Sequence, residues 1–210
     1  MPPEKRDTER RRLAQRALEL TRDRGAETTL VALAAEEGIS RHRIEEIFED
    51  EDDLIEAAAE VWLEPHTAIM EEVVASDLPS NRKMYEFYVR RFRINRERYR
   101  EDPSFFALLC DMGTARFERV RSFVDLADHH LCEIIAEAQA DGFFGGLEID
   151  QALSLINQMV SNYTMPDTLL HLDNRLSEEK LARIIDTIFA GLSAEEGGAR
   201  GVNTLRLAGS

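Results

Sequence analysis

The stretch from Thr29 to Phe48 constrains this chain more than any other. It holds two short apolar periodicities, interrupted once. Leu30, Leu33 and Ala34 recur at i, i+3, i+4 and share one helical face, and Thr28 and Thr29 stand where an N-cap belongs. Gly38 breaks the pattern, as a residue free to take positive φ can. Ile39 follows, Ser40 is placed to cap a second helix, and Ile44, Ile47 and Phe48 repeat the same spacing. Two short helices joined by a turn of about three or four residues containing glycine make a helix-turn-helix. Such a unit lays its second helix in the major groove of DNA, with the first residues of that helix at the base edges. Here these are Ser40, Arg41, His42 and Arg43, all polar and two of them cationic.

Charge argues in both directions. The chain has 26 Lys and Arg against 41 Asp and Glu, a formal net charge of -15, which opposes the long-range approach of a polyanion. The charge is unevenly spread. Lys5, Arg6, Arg10, Arg11, Arg12 and Arg16 make the start basic, whereas Glu45 to Glu60 holds carboxylates and no Lys or Arg. A local basic patch still works at short range once salt screens the rest. Arg10 and Arg11 are therefore expected to meet phosphates beside Thr29 and the Ser40–Arg43 edge. A solvated face balanced by Glu9 and Glu19 is the alternative.

Arg10 to about Trp62 resembles the N-terminal domain of the TetR family of transcriptional regulators. The matching residues are a basic first helix (Arg11, Arg12, Leu13, Ala17, Leu20), then Gly25, Thr29, Leu33, Ala34, Gly38, Ile39, Ser40, Ile44, Phe48 and Leu54. The resemblance implies an all-α chain. A three-helix helix-turn-helix DNA-binding domain would occupy residues 5–52, and a helical bundle that binds ligand and dimerises residues 53–194. Residues 195–210, rich in glycine, are expected to be disordered. It further implies a homodimer on double-stranded operator DNA, released by a small-molecule effector, and so a ligand-responsive regulator acting as a repressor.

The family's usual signature after the turn has a Tyr and a Lys that touch phosphates. In this chain Glu45 holds the Tyr place, Ile47 the place of a usual His, and Glu51 the Lys place. This departure motivates a second reading: a degenerate dimeric binding module that keeps the fold, no longer reads DNA and acts through a small-molecule or protein partner. Glu45 would accept a hydrogen bond from a cytosine amino group or pair with Arg41 four residues earlier, the pair being preferred. Glu51 suits the positive end of the next helix.

Beyond the head, helices are expected over Asp50–Val74, Arg82–Arg100, from Asp102-Pro103 to Gly113, Thr114–Ala140, Asp150–His171 and Glu178–Leu192. Pro65 inside the first of these implies a kink, either a hinge or a bent helix end. The last two helices carry wide apolar faces that need a cover, and in the resembled family this pair forms the dimer interface. An apolar pocket with a few polar groups is the expected ligand site. Its candidate liners are Phe92, Phe105, Phe106, Cys110, Met159, Tyr163 and Met165, with Asn157, Asn162 or His171 as polar anchors.

Enzyme motifs are missing: there is no G-x-S-x-G, Walker A loop or H-E-x-x-H. No cofactor or metal is expected, since His129 and Glu133 share a face but two ligands do not make a zinc site. With two distant cysteines, no apolar leader and no membrane-length apolar run, a cytoplasmic protein is expected.

Overall fold

The computed structural model describes residues 3–198, and the regular structure among them is entirely helical. The chain is all-α, with an N-terminal helix-turn-helix followed by a C-terminal helical domain. It divides into two compact units. The first takes the chain up to Pro65 together with Arg98–Phe123, and the second takes His66–Glu97 and the chain from Val124 on.

The first unit contains α1 (Pro3–Arg24), α2 (Leu30–Glu37), α3 (Arg41–Glu45) and α6 (Pro103–Ala115). It also takes the start of α4 (Glu51–Ala75), the end of α5 (Ser80–Glu101) and the start of α7 (Phe117–Ala140). Its core gathers Leu13, Ala14, Ala17 and Leu20 of α1 with Leu33, Ile44, Ile47, Phe48 and Leu54. Each of the larger side chains contributes about 1.5–3 kcal/mol by burial. A second cluster joins Leu18, Ala58 and Phe105, with Trp62 and Leu109 packed against it. Trp62 meets the Phe105 ring edge-on at 5.7 Å. Arg98 stacks 3.8 Å over Trp62 and donates to its carbonyl at 3.0 Å, and burial pushes this guanidinium down to about 10.

The second unit adds α8 (Ile149–Thr164), α9 (Thr168–Leu172) and α10 (Glu178–Leu192). Met84, Phe87, Phe92, Ile134, Ile156, Val160 and Ile185 are among its buried residues. Lys83, also buried, donates from Nζ to the Val74 carbonyl at 2.8 Å and pairs with Glu137 at 2.7 Å. Ser177 caps α10, its Oγ accepting from the Lys180 amide at 3.2 Å.

Several boundaries differ from expectation for local reasons. The helix expected over Asp150–His171 is split: α8 stops at Thr164, Met165 is extended with ψ 112°, and α9 resumes at Thr168. Pro166 is the cause, since it lacks an amide donor and disfavours helical backbone in the residue before it. Conversely, α6 runs through Gly113 to Ala115. The second helix of the helix-turn-helix is helical only over Arg41–Glu45, so Ile47 and Phe48 reach the core from the turn that follows. Helix α4 is continuous through Pro65, the residue at which the first unit's N-terminal segment ends. Of the expected tail, Glu195–Gly198 form a 3-10 turn, and residues 199–210 lie outside the described residues.

Candidate nucleic-acid interface

The turn is built as the residue types require. Thr29 caps α2, its Oγ1 accepting from the Ala32 amide at 3.2 Å. Gly38 takes φ 63°, a conformation that a side chain would strain, and its amide reaches back to the Ala34 and Ala35 carbonyls. Ser40 caps α3 through the Arg43 amide at 3.2 Å. Ile44, Ile47 and Phe48 are fully buried and fix the roll of α3. The opposite face is thereby presented to solvent, with the Arg41 and His42 side chains 81% and 86% exposed.

The cations of this face all have acidic partners. Arg41 donates from Nε to Glu45 at 2.6 Å, the intrahelical pair preferred from the sequence. His42 lies 3.6 Å from Glu46, and Arg43 pairs with both Glu46 at 3.0 Å and Glu9 of α1 at 2.5 Å. On α1, Arg11 is bidentate with Glu64 at 2.6 and 2.5 Å, and Arg12 meets Glu37 at 2.5 Å. Hydrogen bonding to Glu45 and to Glu64 holds the Arg41 and Arg11 guanidiniums above their ordinary range, so both stay charged. Residues 3–48 contain ten basic and ten acidic residues, so this head is neutral while the whole chain carries -15.

Arg10 is built into the fold. Its guanidinium forks onto Asp53 at 2.6 and 2.9 Å, reaches the Ile47 carbonyl at 3.4 Å and lies 5.0 Å over the Phe48 ring. Burial raises the Asp53 carboxyl, but Arg10 and the Glu49 amide outweigh it and hold the group below its ordinary range.

The acidic run has structural work that the sequence did not announce. Glu51 accepts from the Leu30 amide at 2.7 Å, so its carboxylate sits on the first turn of α2. Open helix N-termini are ready sites for phosphate oxygens, and this amide is already occupied by a carboxylate of the chain itself. Asp52 pairs with Arg116 at 3.2 Å and Arg119 at 3.7 Å, Glu56 with Arg119 at 3.2 Å, and Arg116 also with Glu27 at 2.7 Å. Arg116 and Arg119 lie about sixty residues from Asp52 and Glu56, too far for a sequence pattern to link them.

The residues expected to line a ligand pocket are divided. Phe105, Phe106 and Cys110 belong to the first unit, where Phe105 packs on Trp62 and Phe106 meets Tyr99 at 5.8 Å. Phe92, Asn157, Met159, Tyr163 and Met165 belong to the second. There Phe92 and Tyr163 stack edge-on at 5.1 Å, and the Tyr163 hydroxyl donates to the Ser177 carbonyl at 3.1 Å. Asn157 donates to Asp128 at 2.9 Å, while Met159 and Met165 are 46% and 55% exposed. Among the described residues no three His, Cys, Asp or Glu side chains group as metal ligands, and no helix is long and apolar enough to cross a membrane.

The fold is similar to that of the TetR family transcriptional regulator PfmR from Thermus thermophilus, with a TM-score of 0.50 and 18% identity over 87% of this chain and 100% of that one. A probable transcriptional regulatory protein, RHA5900, aligns over 89% of this chain and 100% of its own, with a TM-score of 0.46 and 16% identity. No curated protein matches the chain in sequence. Residues 80–185, half of the chain, match the model of the tetracyclin repressor-like C-terminal domain, and the chain accordingly belongs to the TetR family of transcriptional regulators.

Proposed function

We propose that the chain is a ligand-responsive DNA-binding regulator that represses by occupying an operator as a homodimer. The observation that carries this reading is the presented face of α3: a capped helix, rolled by three buried anchors, with Ser40, Arg41 and His42 turned to solvent. Thr29, Arg11 and Arg43 flank it as phosphate partners. The acidic partners of Arg11 and Arg43 must exchange for phosphates on binding, at little cost for the exposed Arg11–Glu64 pair and at more for the part-buried Arg43–Glu9 pair. A small molecule in the second unit would shift the population of two dimer arrangements, only one of which spans the operator half-sites. The test is a salt titration of binding to the DNA flanking the protein's own gene. A steep fall of affinity with salt and a preference over random duplex are expected; binding that stays at the non-specific level at low salt rejects the proposal.

The neutral head favours a second reading, in which the same dimer binds a small molecule or a protein and does not read DNA. Glu45→Tyr separates the two. If wild-type protein already binds its operator, the substitution changes affinity modestly; if DNA binding emerges only in the variant, the second reading holds. Glu51→Lys is unsuited to this test, because it would remove the acceptor of the Leu30 amide.

A further inference from the structure

The exposed edge of α3 carries one side-chain pair whose remaining hydrogen-bonding atoms form a pattern. Arg41 and Glu45 stand one helical turn apart. Side chains on a helix lean toward its N-terminus, so Glu45 reaches back alongside Arg41. Nε of Arg41 donates to Oε1 of Glu45 at 2.6 Å. That bond takes one of the five N–H groups of the guanidinium. The two Nη groups of Arg41 and Oε2 of Glu45 make no hydrogen bond among the described residues. The neighbouring polar groups are placed differently. Ser40 Oγ is taken by the Arg43 amide, and Glu46 is shared by Arg43 and His42.

What the pair leaves open is a fork of two donors beside one acceptor. In the major groove a G·C pair shows guanine N7 and O6 as two adjacent acceptors, then the cytosine N4 amino donor. An A·T pair shows the adenine N7 acceptor, the N6 amino donor, the thymine O4 acceptor and a methyl group. Two donors followed by an acceptor complement the first pattern. Against the second they set a donor on the N6 amino group and a carboxylate on O4. The pair is neutral as a unit, so it contributes discrimination between bases and not attraction to phosphate.

We propose that Arg41 and Glu45 together read one G·C base pair of the operator, the Nη fork of Arg41 donating to guanine N7 and O6 and Oε2 of Glu45 accepting from the cytosine amino group. This rests on the reading of α3 as the helix that enters the major groove. The intrahelical pair and the contact to cytosine are then simultaneous, because Nε holds the carboxylate and leaves the fork open. Glu45 exchanges a phosphate contact at this position for a base contact.

The test uses the full chain and a pool of randomised duplex from which bound sequences are enriched. A fixed G·C pair should emerge in each half-site, and A·T in its place should weaken binding about tenfold or more. Inosine in place of that guanine keeps N7 and O6 and should bind as guanine does, whereas a deazaguanine lacking N7 should bind more weakly. Arg41→Ala should remove the preference at that position and leave the preferences elsewhere in the site. Glu45→Ala should reduce the same preference and tighten binding to random duplex, because the Arg41 charge is then unopposed. Both side chains are exposed, so the variants should melt as the wild type does. A specific site without a G·C preference overturns this proposal and spares the regulator reading. So does full binding to the deazaguanine duplex, or a preference that survives Arg41→Ala or that Glu45→Ala leaves untouched. Failure to enrich any sequence, with affinity at the non-specific level, overturns both.

Discussion

Single residues in the head show how a carboxylate run can be structural. Glu51 stands where the family places a phosphate-binding lysine, yet its carboxylate holds the Leu30 amide at 2.7 Å. Glu51→Ala should lower unfolding free energy by about 1 kcal/mol, the usual effect of losing a cap to a helix N-terminus, measured by urea denaturation. An unchanged midpoint would refute the capping role. Arg10 offers a sharper contrast with its neighbour Arg11. Arg10 makes a two-pronged pair with Asp53, both side chains about three-quarters buried, whereas the Arg11 and Glu64 side chains are 64% and 47% exposed. Arg10→Ala should therefore cost about 2 kcal/mol, and Arg11→Ala well under about 1 kcal/mol. Equal losses would show that the Asp53 pair has no special weight.

At the scale of elements, α8 and α10 are the helices with most to explain. Both bury one side in the second unit, through Ile156 and Val160 on α8 and Leu181, Ile185 and Ile188 on α10. Yet α8 also turns Leu155 and Met159 outward, 36% and 46% exposed and four residues apart on one face. Exposed apolar side chains so placed are suited to pairing with a second copy. Met159→Glu would bury a charge in such an interface and should shift the protein toward monomer in sedimentation velocity, with secondary structure unchanged by circular dichroism. A dimer that persists at micromolar concentration in this variant would place the interface elsewhere. The break between α8 and α9 is a local matter by comparison, since Pro166 would end any helix there.

For the molecule as a whole, the density of ion pairs sets the response to acid. In the first unit Asp53 is held below the ordinary carboxyl range, with Arg10 and the Glu49 amide outweighing the burial that raises it. In the second, the Glu178 carboxyl is lowered by its hydrogen bond to Arg93. A carboxyl with a lowered folded-state pKa contributes its full stability above its unfolded value, about 4, and loses it as pH falls through the folded value. Melting temperature should thus be level from neutrality to about pH 5 and fall below about pH 4. Asp53→Asn should be less stable at neutral pH and show a shallower fall. A variant with the slope of the wild type would assign the acid sensitivity to other groups.

What the sequence determined by itself was local. Thr29, Gly38 and Ser40 dictate a turn because cap oxygens and a positive φ act within a few residues. The i, i+3, i+4 spacing of Ile44, Ile47 and Phe48 picked out the face that is buried, and the Arg41–Glu45 pair needs only one helical turn. What the tertiary structure decided was which charges meet. Asp53 finds Arg10 across 43 positions, Arg116 finds Glu27 across 89, and Glu51 finds an amide 21 residues back. The aromatic residues read as one pocket were likewise sorted into two units only by folding. The physical reason is common to both. Hydrophobic periodicity is written along the chain, whereas a long side chain's partner depends on where folding brings distant backbone together.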